Sequence, residues 1–546
     1  MQMEEKISTI VKDAFSIDAS VTITRPDVQF GDYATNVAMQ LAKPLGKSPR
    51  DIANLLAAKL QEDDDFQEVT VAGPGFINIR VQDAKLMELA GRLNDSKERL
   101  GKKIVIETNN PNPFKAMHVG HAFNAILADT IANLLAADGA DLHRVSYHGD
   151  IGSHVGKSMW AILRYLDGDI AKLHAIQPAE QNAFMSKMYA SGAKAYKEDE
   201  TAKAAINDLA RQSFTLEDPF YREVYETCRA WSFEQLDAIV ALLGNAPTER
   251  KYLESEADAL GVETVRNHIG DVFIESDGAL VFPGSKYGSF DNVFVGSNGY
   301  GLYGARDVGL MRLKNDDYHA EKSYIITAEE QRAYFKGAIK AAEMCLPDLE
   351  GVTVNIPTGT MLLSTGKMSS RTGEVVEISW LFDQIRRAIA DRGGEATPDI
   401  IAGALRYQFL KIRIGSDVVF DIEEAVSLHG NTGSYLQYAY ARARSILNKA
   451  TTTGEWKGEP LNEYERNLVR KMTEFTDVVT QAKRELLPHY ICTYLYELAQ
   501  EFNRFYEKNK VIGSDEEKKR LFLVARYAET LKNGLTILSI AAPEKM

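Results

Sequence analysis

The chain has 546 residues, 45% hydrophobic and 26% charged, with three cysteines and a net charge of −14 from 63 basic and 77 acidic side chains. That length suggests three or four domains, no apolar run is long enough to span a bilayer, and the acidic start Met1-Gln-Met-Glu-Glu carries no targeting signal, so a cytoplasmic protein without a membrane partner is expected. Cys228, Cys345 and Cys492 are far apart, which fits a reducing compartment and excludes a disulfide framework or a CxxC zinc site, while the acidic total confines any nucleic-acid binding to local basic faces.

Residues 1–100 read as a small α+β domain. Amphipathic helices are expected from Glu4 to Phe15, Asn36 to Leu45 and Pro49 to Leu60, the last with Ser48 as N-cap before Pro49 at the first helical position. Asp27–Tyr33 and Val69–Val81 read as turn and strand, punctuated by Gly73-Pro74-Gly75.

From Gly101 the pattern changes. Ile104-Val105-Ile106 is a short apolar run of the kind a strand buried on both faces shows. A turn rich in Asn and Pro follows at Asn109–Pro113, and from His118 the spacing of Phe123, Leu127, Ile131 and Leu134 is helical, with Gly139 placed to end the helix. His118, Gly120 and His121 therefore sit at a helix N-terminus, where unpaired amides and the positive dipole end receive phosphate. Gly120 lets a flat base or ribose approach the backbone, and the two histidines share one helix face as donors. A second strand, Leu142–Tyr147, leads into the glycine-rich His148–Gly156, so both loops open onto the carboxyl ends of their strands.

Residues from about 157 to 247 are mostly helical and read as an insertion. Asp271–Phe282 is a hairpin with Asp277-Gly278 at its turn, and Tyr324–Thr327 a strand leading toward Gln331. Beyond about Thr397 the chain is almost wholly helical. There Tyr435, Tyr438 and Arg442 fall three or four apart, so one helix face presents two aromatics and a cation, the combination that stacks single-stranded bases and neutralises phosphate.

His118-Val-Gly-His121 resembles the HIGH motif of class I aminoacyl-tRNA synthetases, and Glu107–Lys115 is similar to the active-site entry of the arginyl-tRNA synthetases. Gly366-Lys-Met-Ser-Ser-Arg-Thr-Gly373 resembles the KMSKS loop, with Ser370 where the second lysine would stand. Many arginyl-tRNA synthetases share that loss and carry a lysine upstream of HIGH, here Lys115. The resemblance covers nearly the whole chain.

It implies an α/β fold: a Rossmann-type parallel-sheet catalytic domain over 101–395, a small α+β N-terminal domain over 1–100 and an all-α anticodon-binding bundle over 396–546. It implies His118, His121, Lys115 and Lys367 as catalytic residues, with Gly120, Met368, Ser369 and Arg371 joining them on ATP, bound with Mg²⁺ and without zinc. Arginine would be held by Glu107, Asn112, His121, Tyr303, Asp307 and Gln331. A carboxylate suits the planar fork of a guanidinium and an aromatic face covers it. Transfer RNA for arginine would touch Phe76 and Asn78, Tyr435, Tyr438, Arg442 and Met546, with Phe76 as core and Asn78 as a plain strand residue the alternative. The expected activity is ligation of arginine to its tRNA by a monomer. A glutamyl or cysteinyl enzyme, or an RNA-binding relative that no longer activates an amino acid, are the competing readings.

Overall fold

The computed structural model describes residues 2–91, 97–364 and 376–546. Its first unit is an antiparallel sheet in the order Ile23–Thr24, Tyr33–Thr35, Phe76–Val81, Phe66–Ala72. Alternation along Phe76–Val81 sends Ile77, Ile79 and Val81 inward onto Ile7, Val11, Ile52, Leu56 and Leu60 of the helices Gln2–Phe15 and Pro49–Gln61. Ser48 caps the second of these, its side chain accepting from Asp51 N.

The central unit is a five-stranded sheet in the order Thr353–Thr358, Lys322–Ala328, Lys103–Glu107, Asp141–His148, Arg250–Leu253, every pair parallel. Lys103–Glu107 is the middle strand. The chain leaves it toward Asp141–His148 on one side and returns much later to Lys322–Ala328 on the other. That reversal opens a crevice at the carboxyl ends, where ligands of such sheets bind. Against the expectation that no apolar run reaches that length, the 19-residue helix Val119–Ala137 is, among the described residues, long and apolar enough by composition to cross a membrane, yet it is packed inside the protein. The hairpin Ile274–Ser276 and Ala279–Phe282 turns through Asp277 and Gly278, both at positive φ.

The insertion consists of helices, Pro178–Glu198, Glu200–Thr215 and Pro219–Leu242 among them. The C-terminal helices Gly433–Lys449, Glu463–Thr473, Phe475–Glu485, His489–Lys508 and Glu517–Ile537 form a bundle around Leu468, Leu495, Phe502, Tyr527 and Leu531. One pairing crosses the boundary expected at 395: Met361–Leu363 runs parallel to Val418–Phe420. Fully buried Arg406 ties three parts together, donating to Asp129 Oδ2 at 2.9 Å, Leu243 O at 2.9 Å and Leu538 O at 2.8 Å. At the far side Arg466 pairs with both Asp32 and Asp83 of the N-terminal unit.

Candidate active site

Three asparagines build the turn after the middle strand. An amide donates and accepts at once, so each cross-links a second segment. Asn110 donates to Glu107 Oε2 at 2.7 Å and accepts from Tyr147 N at 2.9 Å; Asn112 accepts from Gly149 N at 2.8 Å; Asn109 accepts from Asn245 at 3.1 Å. Phe114 then adopts φ +63°, a conformation rare for a bulky residue. It is held by Ser232 Oγ on its N–H and Ser158 Oγ on its carbonyl, with its ring stacked on Tyr225. Lys115 leaves this fixed point toward the helix start.

His118 is the N-cap of Val119–Ala137, its Nδ1 accepting from His121 N at 3.2 Å. An accepting Nδ1 leaves the proton on Nε2, pointing a donor outward. The two imidazoles stack with centroids 3.5 Å apart. A Cβ on Gly120 would lie 3.1 Å from the His118 ring, so glycine is what lets that ring fold over the helix start. Burial, and then Lys115, pushes His118 down to about 4; burial, His118 and Lys115 push His121 well below its usual value. Both are neutral at pH 7 and act through N–H groups and dipoles. His121 Nδ1 is buried without a partner.

The chain returning from the second signature meets this helix start: Val119 N donates to Val376 O at 2.9 Å and Ile378 N to Met117 O at 3.0 Å. Lys367, Met368, Ser369 and Arg371 themselves lie outside the described residues.

Helix Tyr303–Tyr318 carries Tyr303 and Asp307, two of the residues expected at the amino-acid side chain. Tyr303, at its first position, is 71% exposed. Asp307, one turn on, accepts a short bond from Tyr334, and burial, with Glu107 and Glu254 nearby, pushes its carboxyl up to about 7. Gln331 is exposed just before helix Arg332–Cys345. Glu254 is pushed to about 7 by burial against the pull of Arg306, whose guanidinium bonds Glu254 at 3.0 Å and Asp258 at 2.9 Å. The Tyr147 hydroxyl, near Asp307 and Glu254, is buried without a partner. Glu254 is paired with Arg306 and Glu107 with Lys314, which leaves Asp307 the carboxyl of the three without an ion pair among the described residues.

Glu107 is engaged within the fold. Lys314 holds its Oε1 at 2.6 Å with both side chains 2% exposed, and Asn110 holds the other oxygen. A carboxylate so held braces the turn, and each of its oxygens keeps a second lone-pair site. Asn112 likewise has its carbonyl oxygen engaged by Gly149 N, leaving its NH₂ as the free end.

The proposed RNA contacts divide. Phe76 is exposed at the start of its strand, while Asn78, on the same outer face, is buried at mid-sheet. Tyr438, Arg442 and Met546 line one groove of about 870 Å³, together with Tyr506, whose ring lies 4.4 Å below the Arg442 guanidinium. Tyr435 does not join them. Its hydroxyl accepts from Asn503 at 2.6 Å and its ring packs edge-on to Tyr496, so it belongs to the bundle interior, because helical spacing alone does not separate a core stripe from an exposed one.

Sequence reasoning passed over Lys314, Tyr334, Arg306, Glu254 and Tyr147. Glu254 could have been found, since it follows directly on a parallel strand's carboxyl end. Nothing local marks the others.

A family model described as "tRNA synthetases class I (R), catalytic domain" matches residues 84–415, "Arginyl tRNA synthetase N terminal domain" matches 1–81, and "DALR anticodon binding domain" matches 436–546. The chain is 31% identical to an arginine–tRNA ligase of Frankia casuarinae over 96% of its own length and 94% of the relative's. It is 25% identical to one from Porphyromonas gingivalis over 100% and 99%. Solved structures of similar fold include the arginyl-tRNA synthetases of Thermus thermophilus, at 24% identity and TM-score 0.80, and Plasmodium falciparum, at 21% and 0.76, each covering 100% of this chain and 99% of the other.

Proposed function

The chain belongs to the class I arginyl-tRNA synthetases, and from that premise we propose how its residues divide the work. It is an arginine–tRNA ligase: arginine and ATP give arginyl-adenylate and pyrophosphate, and the arginyl group then passes to tRNA with release of AMP. The arginine carboxylate oxygen attacks the α-phosphorus in line as the bond to pyrophosphate breaks. No side chain becomes covalently modified, and catalysis is positioning plus electrostatics.

His118 and His121, neutral on the first turn of Val119–Ala137, donate N–H bonds to phosphate oxygens. The helix N-terminus and Lys115 add positive potential, and Lys367 from the second signature joins them on the leaving pyrophosphate. ATP enters as its Mg²⁺ complex. Gly120, Met368, Ser369 and Arg371 complete the nucleotide contacts. Asp307, steadied by Tyr334, takes the guanidinium, with Tyr303 over it and Gln331 and the free amide of Asn112 at the amino-acid end. Asp307 is the observation that carries this reading: a desolvated carboxyl, bonded by Tyr334 on one oxygen only and in no ion pair among the described residues.

Residues 1–100 and 396–546 are read as the parts that grip tRNA, through Phe76 and Asn78 and through the Tyr438–Arg442–Met546 groove, whose paired aromatic and cation supports that use. A reducing, cytoplasmic compartment fits the three separated, buried thiols, two of which burial pushes up to about 12, and the monomer rests on the family resemblance alone. The test is arginine-dependent exchange of pyrophosphate into ATP with and without tRNA. Exchange that appears only when tRNA is added is expected. No exchange under either condition, from folded protein that still binds tRNA, would return the chain to the RNA-binding reading.

A further inference from the structure

Lys157 lies in none of the motifs, yet the fold carries it to the nucleotide end of the crevice. It stands early in helix Ser153–Leu166, which begins after the carboxyl end of strand Asp141–His148, beside the strand that feeds the His118 helix. The next residue, Ser158, is fully buried and donates to the Phe114 carbonyl at 2.9 Å. Phe114 immediately precedes Lys115, so one hydrogen bond clamps the helix bearing Lys157 against the turn bearing Lys115.

From the other side the insertion fixes the same point. A Cβ at Gly192 would fall 1.9 Å from the Lys157 carbonyl, so helix Pro178–Glu198 presses its backbone on Lys157. The Tyr196 ring lies 4.6 Å from the Lys157 ammonium. Lys157 is half-buried, and among the described residues no carboxylate pairs with it, with Lys115 or with Lys197.

These like charges act on one another. The Lys157 ammonium is pulled below the ordinary lysine range by burial, then by Lys115 and Lys197. His154 is pushed down to about 4 by burial, against its bond to the Gly149 carbonyl and the Asp150 carboxylate, and it feels both Lys115 and Lys157. A group of cations held together without counter-ions is unfavourable in the free protein and is relieved by an anion. Lys157 stands one turn into helix Ser153–Leu166 and Lys115 lies three residues before the N-cap of Val119–Ala137, so the anion that fits is a phosphate chain.

We propose that Lys157 is a further phosphate-contacting residue, joining Lys115 in neutralising the triphosphate of ATP and the pyrophosphate that leaves it. The inference rests on the reading of the His118–His121 helix start as the nucleotide site. K157M, K157R and H121A in the full-length enzyme, assayed with arginine and tRNA in both directions, test it. K157M should raise KM for ATP and for pyrophosphate by about tenfold or more, with KM for arginine and tRNA within about twofold. K157R should keep most of the wild-type values, and the melting temperature of K157M should be unchanged or higher, since a like-charge repulsion is removed. Unchanged KM for ATP and pyrophosphate overturns the proposal. So does a rise confined to KM for tRNA, which would make Lys157 an RNA contact. A lowered melting temperature with equal losses for all substrates would make it a packing residue and also overturns it. If H121A abolishes exchange while K157M does not, only Lys157 falls; if neither matters, the reading of the nucleotide site falls.

Discussion

Lys314 reaches across from helix Tyr303–Tyr318 to Glu107 at the end of the middle strand, 2.6 Å from its Oε1, with both side chains 2% exposed. The pair joins the helix that carries Asp307 to the strand that feeds the His118 turn, so the two halves of the crevice share one buried ion pair. Removing one partner strands the other charge in a place without water. Lys314→Met is therefore expected to cost about 3–5 kcal/mol. Urea unfolding checks it; a loss below about 1 kcal/mol would mean that water reaches Glu107.

The Asp307 carboxyl sets a pH dependence. Burial raises it to about 7, so the folded protein holds a proton that the unfolded chain releases near 4. The native state thus binds more protons between those values, and this group's contribution to stability falls as pH rises through that window. Arginine requires the ionised form. KM for arginine is expected to rise as pH falls below 7, by up to about tenfold per unit, while kcat at saturating arginine stays level. Initial rates across pH 5.5–8.5 (roughly the range where the group titrates) decide it; a flat KM would remove Asp307 from the pocket.

His118, at about 4, and His121, well below its usual value, are already neutral throughout that range. No inflection near the ordinary histidine value is expected in kcat. His121→Ala should lower kcat about 10²–10³-fold by removing a preorganised donor, and the pH profile of what remains should keep its shape. An inflection that vanishes in the variant would show that a charged imidazole works there.

Two tyrosines one helical turn apart should behave oppositely. Tyr438 is exposed over the groove with Arg442, so Tyr438→Ala should raise KM for tRNA and leave KM for ATP and arginine unchanged. Tyr435 is tied to Asn503 inside the bundle, so Tyr435→Ala should lower stability by about 3–5 kcal/mol with little specific effect on tRNA. Paired tRNA titrations and melting curves separate the two.

Much of the fold was legible because local chemistry settled it. The apolar run Ile104–Ile106, the Asn/Pro turn and the His118 cap are written in consecutive residues, as are the Ser48 cap and the Asp277-Gly278 hairpin. What escaped was long-range. The partner of Glu107 stands 207 residues away, Tyr334 meets Asp307 across two helices, and Val418–Phe420 finds Met361–Leu363 over the expected domain boundary. Tyr435 and Tyr438 stand one turn apart on one helix, and it is the neighbouring helix His489–Lys508, through Asn503 and Tyr496, that covers Tyr435.

The central claim is that Asp307 receives the arginine side chain. Replacing Asp307 by asparagine keeps the shape and the bond from Tyr334 while removing the charge. With tRNA present, pyrophosphate exchange should then show KM for arginine raised by about two orders of magnitude, since a charge-assisted bidentate pair is lost, with KM for ATP and affinity for tRNA within about twofold of wild type. An unchanged KM for arginine, or equal losses for all three substrates, would contradict the account.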